Sequence, residues 1–394
     1  MRNAVMGVSN LARVAIVVGL IGGCSPQPST PPPAVPSATP GTSATSGPAI
    51  AWEPYLRLGG MVDMVHGRGG WVALGACDRG SCATAATAWH SADLEAWETI
   101  ALPQSGDIQP ISLVATDDGY LLAAYDYDDM GQHDDAFIQV WRSTDGRLWE
   151  RFGEARLGAC DGNDCPRARG IGYAPNRAIV VGAVVPVGED SGQASVSDNG
   201  FTWRDLTIAT FSNGVEVDQI QVLGSESTSA ELFLYGGACR HAVCAMTLWS
   251  TTDGEHWAEE QSFGTGVDAL SIATDGAQRV VAVAKSGSAC PTSSVCADVF
   301  TGVRSTTWTN VLPALNLAAP EVVWAGDMFV LVGFRDQGFV SYVSVDGLDW
   351  TEGPGAVVDG LGTCGDSWLA GDARTVMFGV PECALFKGTL QPAR

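Results

Sequence analysis

Residues 141–149 read Trp-Arg-Ser-Thr-Asp-Gly-Arg-Leu-Trp, and this short frame decides the fold because it recurs. It returns as Trp-His-Ser-Ala-Asp-Leu-Glu-Ala-Trp at 89–97 and Ser-Val-Ser-Asp-Asn-Gly-Phe-Thr-Trp at 195–203. Further copies are Trp-Ser-Thr-Thr-Asp-Gly-Glu-His-Trp at 249–257 and Tyr-Val-Ser-Val-Asp-Gly-Leu-Asp-Trp at 342–350. A decayed copy ends at Trp308. The shared pattern is aromatic-x-Ser/Thr-x-Asp/Asn-Gly-x-x-Trp. The carboxylate or amide oxygen can accept bonds from turn amides. Gly supplies a positive φ without steric cost. The hydroxyl bonds the turn backbone, and the last Trp opens the next strand and buries a large ring between sheets. The frame therefore predicts a tight hairpin followed by an anchor. The closing Trp residues fall at 97, 149, 203, 257, 308 and 350, so the unit repeats at intervals of 52, 54, 54, 51 and 42 residues.

Each interval holds four short strands with Gly and Asp at the turns. Around the first frame the strands are read as Val62–His66, Trp71–Gly75 and Thr84–Ser91, before Trp97. Around the last they are Val322–Trp324, Phe329–Phe334 and Gly338–Val345, before Trp350. The segment at Trp52 reads as an orphan fourth strand. The C-terminal stretch supplies three more, Ser367–Ala370, Thr375–Val380 and Ala384–Gly388. The frame resembles the Asp-box, or BNR repeat, of sialidase-type β-propellers, and the likeness runs over nearly all of residues 50–394. It implies an all-β propeller, with seven four-stranded blades closed by the N- and C-terminal strands. Six blades with an irregular tail is the alternative count. Closure through both ends would remove a free sheet edge.

Composition narrows the function. Hydrophobic residues make up 46% of the 394, which excludes a chain that is disordered overall. There are 21 Lys and Arg against 44 Asp and Glu, a net charge of −23, which excludes nucleic acid as partner.

The N-terminus reads as an address. Residues 1–23 carry Arg2 and Arg13 and a short apolar run, Val14 to Ile21, too short to span a bilayer. Ile21-Gly-Gly-Cys24 resembles the bacterial lipobox, which implies a lipidated Cys24, cleavage before it and N-acylation of the new terminus. Residues 24–50 are rich in Pro, Ser and Thr and form a tether; residues 51–394 form the folded domain. The expected location is the cell membrane, lipid-anchored and facing the extracytoplasmic side. Ten further cysteines agree with an oxidising compartment. Spacing pairs Cys77 with Cys82, Cys160 with Cys165, Cys239 with Cys244 and Cys290 with Cys296, and leaves Cys364 with Cys383. The spacing does not match a zinc site.

In the propeller that the resemblance implies, the boxes lie on one face, so Asp93, Asp145, Asp253 and Asp346 are read as structural. His90 and His256 fall within these turns and read as surface residues. All five cysteine pairs map to the opposite face, where sialidase-type propellers bind ligands. The same face collects acid: Asp63, Asp218, Asp268, Glu321 and Asp366 at the starts of first strands, and Asp126, Asp128, Asp129, His133, Asp134 and Asp135 in one loop. The loop is read as solvated, with Ca²⁺ as a lesser alternative and no other metal or cofactor expected. No GxSxG, HExxH or phosphate-loop motif occurs. The sialidase family's early Arg motif is missing, although Arg79, Arg167, Arg169, Arg240 and Arg335 would share the ligand face. The expected function is a monomeric binding or scaffold module that recognises a protein segment or a glycan through its disulfide-stapled acidic face. The alternative is a sialidase-type glycoside hydrolase, with catalytic residues unassigned.

Overall fold

The computed structural model describes residues 49–55, 61–75, 87–102, 108–126, 135–159, 167–174, 179–184, 193–206, 219–227, 231–240, 243–276, 279–286, 296–303, 308–336, 338–357, 367–380 and 384–391. The chain divides into units Met1–Ala44 and Thr45–Arg394, and every described residue belongs to the second. Among the described residues there are strands and no helix.

The strands form antiparallel meanders. After β1 (Ala49–Pro54) come β2 (Met61–Gly67), β3 (Gly70–Gly75), β4 (Thr87–Ser91) and β5 (Glu98–Ala101), paired in that order. The next sheet is β6 (Ile108–Thr116), β7 (Gly119–Asp126), β8 (Asp135–Ser143) and β9 (Glu150–Ala159). Then follow β10 (Arg167–Tyr173), β11 (Ile179–Val184), β12 (Gln193–Ser197) and β13 (Arg204–Leu206). The fourth set is β14 (Gln219–Ser227), β15 (Leu232–Arg240), β16 (Val243–Thr251) and β17 (Ala258–Gly264). The fifth is β18 (Val267–Thr274), β19 (Arg279–Ser286), β20 (Cys296–Val303) and β21 (Thr309–Leu315). A five-stranded sheet contains β22 (Ala318–Ala325), β23 (Met328–Arg335), β24 (Gly338–Ser344) and β25 (Thr351–Glu352), with β26 (Ala356–Val357) also on β24. The terminal sheet joins both ends in the order β1, β29 (Ala384–Gln391), β28 (Thr375–Val380), β27 (Trp368–Gly371).

The first strands β2, β6, β10, β14, β18, β22 and β27 lie side by side in turn, and β27 returns to β2. This is a β-propeller arrangement. Trp52 pairs with Gly388 on β29, so its strand is the outermost of the terminal sheet, as its likeness to the strand after Trp97 suggests.

Burial follows position in the sheet. Second strands are enclosed on both faces by neighbouring sheets, so they read as continuous apolar runs rather than alternations. All six residues of β3 are buried, as are the first six of β23. Outer strands such as β21 are largely exposed. The core therefore sits in the seams. Val72 and Leu74 meet Leu122, Trp141 and Trp149 across the first seam. Val330 and Phe339 meet Phe378, Phe386 and Ile50 across another.

Candidate functional site

The repeated turn builds one face. In the second sheet the Ser143 hydroxyl accepts the Gly146 amide at 2.9 Å, and Asp145 Oδ1 accepts the amides of Arg147 and Leu148 at 2.8 and 2.9 Å. The Trp149 indole then donates to the Gly146 carbonyl at 3.2 Å. The bond from the Leu148 amide, with that from Arg147, holds the Asp145 carboxyl below its ordinary range. At Asp253 and Asp346 partial burial pushes the other way, but amide and hydroxyl donors, joined at Asp253 by the His256 ring, outweigh it and these carboxyls are also depressed. Asn199 does the same work uncharged, accepting Phe201 and Thr202 amides at 2.8 and 2.9 Å. These side chains hold their own turns.

Two copies depart from the rule. At the first, Leu94 replaces Gly and takes φ 68°. Its side chain is buried between Trp71 and the terminal-sheet residues Met377 and Leu385. At the decayed copy, the Trp308 indole nitrogen is buried with no hydrogen-bond partner among the described residues. His256 is exposed, 2.8 Å from Asp253, as expected. His90 is not a surface residue: it is buried, with Nε2 2.7 Å from the Gly69 carbonyl. It lies on β4 before the turn, in the seam where Gly146 of the next sheet packs.

Four of the described turns lean on the sheet before them through one side chain. The residue after the turn glycine or its replacement pairs backward: Glu95 with Lys387, Arg147 with Glu98, and Glu255 with Arg204, at 3.4, 3.0 and 3.0 Å. These exposed pairs contribute at most about 1 kcal/mol each. In the third sheet the equivalent residue is Phe201, and its partner is the Phe152 ring at 6.0 Å. The turn backbone there lies hard against β9: a Cβ on Gly153 would sit 1.5 Å from the Gly200 carbonyl.

Beside this aromatic pair the face opens into a cleft of about 840 Å³ between the second and third sheets. The buried side chains Tyr120, Leu121 and Tyr173 form its floor. Phe152 and Phe201 form its apolar wall, and the Phe201 ring is 73% exposed. Arg68, Asp118, Arg142, Glu150 and Asp198 give the rim both signs of charge. Arg142 lies 4.8 Å over the Phe152 ring and bonds Glu150 at 2.5 Å. Sequence reading missed this cleft. The one available signal was a large aromatic at an exposed turn position, Phe201.

The acids nominated on the opposite face divide. Asp63 sits at a bulge in β2. It accepts the Met64 amide at 2.8 Å and, from the neighbouring β6, the Leu113 amide at 2.8 Å. The residue is half-buried at the seam between β2 and β6. Desolvation by burial outweighs both amide bonds and raises its carboxyl to about 7. Glu321, at the bulge in β22, accepts from Ser271 at 2.9 Å, and Ser271 in turn accepts the Val322 amide at 2.9 Å. Both acids thus tie one first strand to the next. Asp268 lies at the bulge in β18, and Asp126 and Asp135 end β7 and begin β8. Asp128, Asp129, His133, Asp134, Asp218 and Asp366 lie outside the described residues. Among the described residues no group of three His, Cys, Asp or Glu side chains could hold a metal.

Cys239 and Cys244 form a disulfide across the hairpin between β15 and β16. Cys296, at the start of β20, is also disulfide-bonded, and its expected partner Cys290 lies outside the described residues. So do Cys24, Cys77, Cys82, Cys160, Cys165, Cys364 and Cys383. Both placed cysteine sites are at the sheet ends remote from the repeated turns. Arg335 is held by Glu352 at 2.6 Å, and Tyr342 bonds the same carboxylate at 3.0 Å.

No protein-family model and no curated protein matches the chain. Among solved structures, a prolyl endopeptidase is similar with a TM-score of 0.52 at 11% identity, over 86% of this chain and 47% of that one. The α-L-arabinofuranosidase Arb93A from Fusarium graminearum has a TM-score of 0.40 at 13% identity, over 71% of this chain and 92% of that one. The fucose-specific lectin from Aleuria aurantia has a TM-score of 0.40 at 13% identity, over 71% and 94%. The likeness to the endopeptidase is one of fold alone.

Proposed function

We propose that the chain is a lipid-anchored, extracytoplasmic Asp-box propeller of seven blades that works as a binding or scaffold module. Its ligand, a protein segment or a glycan, meets the face that carries the loops between second and third strands. The observation that carries this reading is the Cys239–Cys244 staple, which closes such a loop at the end opposite the repeated turns. A stapled hairpin on a rigid ring lowers the ordering cost of binding. The ring of first strands supports the blade count, since a count of six would leave one sheet outside it.

Catalysis is the weaker reading. A sialidase-type hydrolase needs free guanidinium groups for the substrate carboxylate, and Arg335 is already engaged by Glu352.

The test is a cross-linking capture from envelope extract with the full chain. A matched variant carries Asp126, Asp128, Asp129, Asp134 and Asp135 changed to Asn. A protein or glycan captured by the wild type and lost in the variant supports the acidic face. Equal capture by both removes this loop from the site. Turnover of a fluorogenic sialoside would instead favour the hydrolase.

A further inference from the structure

The loops just discussed leave the cleft on the opposite face without a role. We propose that this cleft is a second binding site, and that it takes a neutral carbohydrate with one sugar ring stacked on Phe201.

Three features of the cleft point to that ligand class. The first is an aromatic face offered to solvent. Phe201 is 73% exposed at a position where three other turns place an ion-pairing side chain. Its backbone is held by Asn199 and its flank by Phe152, so the ring is presented rather than loose. The axial C–H groups of a pyranose form a flat apolar patch that buries well against such a ring.

The second is the mixed rim. Arg68 supplies donors, while Asp118 and Asp198 supply acceptors, on the same opening. A hydroxyl both donates and accepts, so a polyol can use both kinds of group at once. Arg142 and Glu150 are paired to each other, so Arg68, Asp118 and Asp198 remain: the two carboxylates oppose an anionic ligand, and Arg68 stands against a purely cationic one.

The third is size and preorganisation. A cleft of about 840 Å³ fits within the range of roughly 300–1,000 Å³ usual for small-ligand sites. Its wall is locked by the Gly153–Gly200 approach and by Arg142 resting on Phe152. Little order has to be gained on binding.

The test uses the full chain in a non-glycosidic detergent on an array of neutral and anionic oligosaccharides, with hexalysine as a peptide probe. At least one neutral oligosaccharide is expected to bind. Phe201→Ala is expected to weaken it by about tenfold or more, Asp198→Asn to weaken it less, and Phe201→Trp to retain it. Because the ring is exposed, Phe201→Ala should leave the melting temperature near that of the wild type. The five-Asp variant of the opposite face should bind the same glycan unchanged, which separates this site from the one proposed above. Absence of binding to every neutral glycan overturns the proposal. So does binding that survives Phe201→Ala, or capture of hexalysine through the cleft in place of a sugar.

Discussion

The phenol of Tyr55 accepts a hydrogen bond from the Trp97 indole at 3.0 Å, a place held in four other turns by the carbonyl of the turn glycine. The same hydroxyl donates to the Leu94 carbonyl. One residue from the chain's first strand region thus bridges a turn that has lost its glycine. Tyr55→Phe leaves both groups without this partner and is expected to cost about 1–3 kcal/mol. Urea unfolding followed by Trp fluorescence checks it.

Leu94 and Gly146 occupy the same turn position under opposite demands. Leu94 holds a left-handed φ at a cost of about 1–2 kcal/mol, yet fills the seam to the terminal sheet. Removing its side chain loses about 2–5 kcal/mol, so Leu94→Gly should destabilise on balance. Gly146→Ala should also destabilise, because its Cβ would meet Val72 at 2.6 Å. Both are read by thermal melts. A Leu94→Gly variant more stable than wild type would refute the account of the seam.

Gly153 admits no side chain. A methyl there would overlap the Gly200 carbonyl at 1.5 Å, and backbone cannot swing aside as a side-chain tip can. Gly153→Ala should cost about 1–3 kcal/mol or more. It should also disturb the Phe152–Phe201 pair, visible as altered near-ultraviolet circular dichroism.

Asp145 and Asn199 hold their turns with the same two amide bonds. Asp145→Asn should therefore change stability little at neutral pH, whereas Asp145→Ala should cost about 1 kcal/mol or more. The carboxyl's folded value lies below its unfolded one near 3.8, so its stabilisation is present above that pH and lost as pH falls through the folded value. The Asn variant should lack this part of the acid loss. Unfolding midpoints measured from pH 2 to 6 decide it.

Asp63 works in the other direction. Burial raises its folded value to about 7 from 3.8, so the folded state binds a proton that the unfolded state has released. Its contribution should fall as pH rises from about 4 to about 7 and stay level above. Asp63→Asn should remove that slope. A wild type whose slope matches that of the variant across this window would show that Asp63 does not titrate there.

The turns were legible because Asp, Gly and Trp answer to local backbone chemistry, and a local demand repeats visibly in sequence. The strands around them followed, with ends displaced by at most four residues, the largest at the start of β22. What depends on neighbouring sheets was not legible. His90 looks like a turn residue in sequence, yet it is buried in the seam where the next sheet's Gly146 packs against it. Phe152 and Phe201 are remote in sequence and meet through sheet stacking, so the cleft they wall had no motif. Asp63 and Glu321 read as a charged mouth, yet each serves a neighbour about one repeat away, Leu113 for one and Ser271 for the other.

The pairing of Ala49 with Gln391 sets a timetable for folding. A chain made from its N-terminal end presents β1 before β29, so among the described strands β1 waits longest for its partner. Until then one ladder edge stays open and Trp52 has no Phe339 to rest on. Bringing together residues so distant in sequence carries a loop-closure cost that grows only slowly with length, but it makes the final step a slow, non-local one. During that interval the unclosed ring can pair with another copy's edge as readily as with its own. Yield on refolding should therefore fall with protein concentration even where the finished molecule is stable.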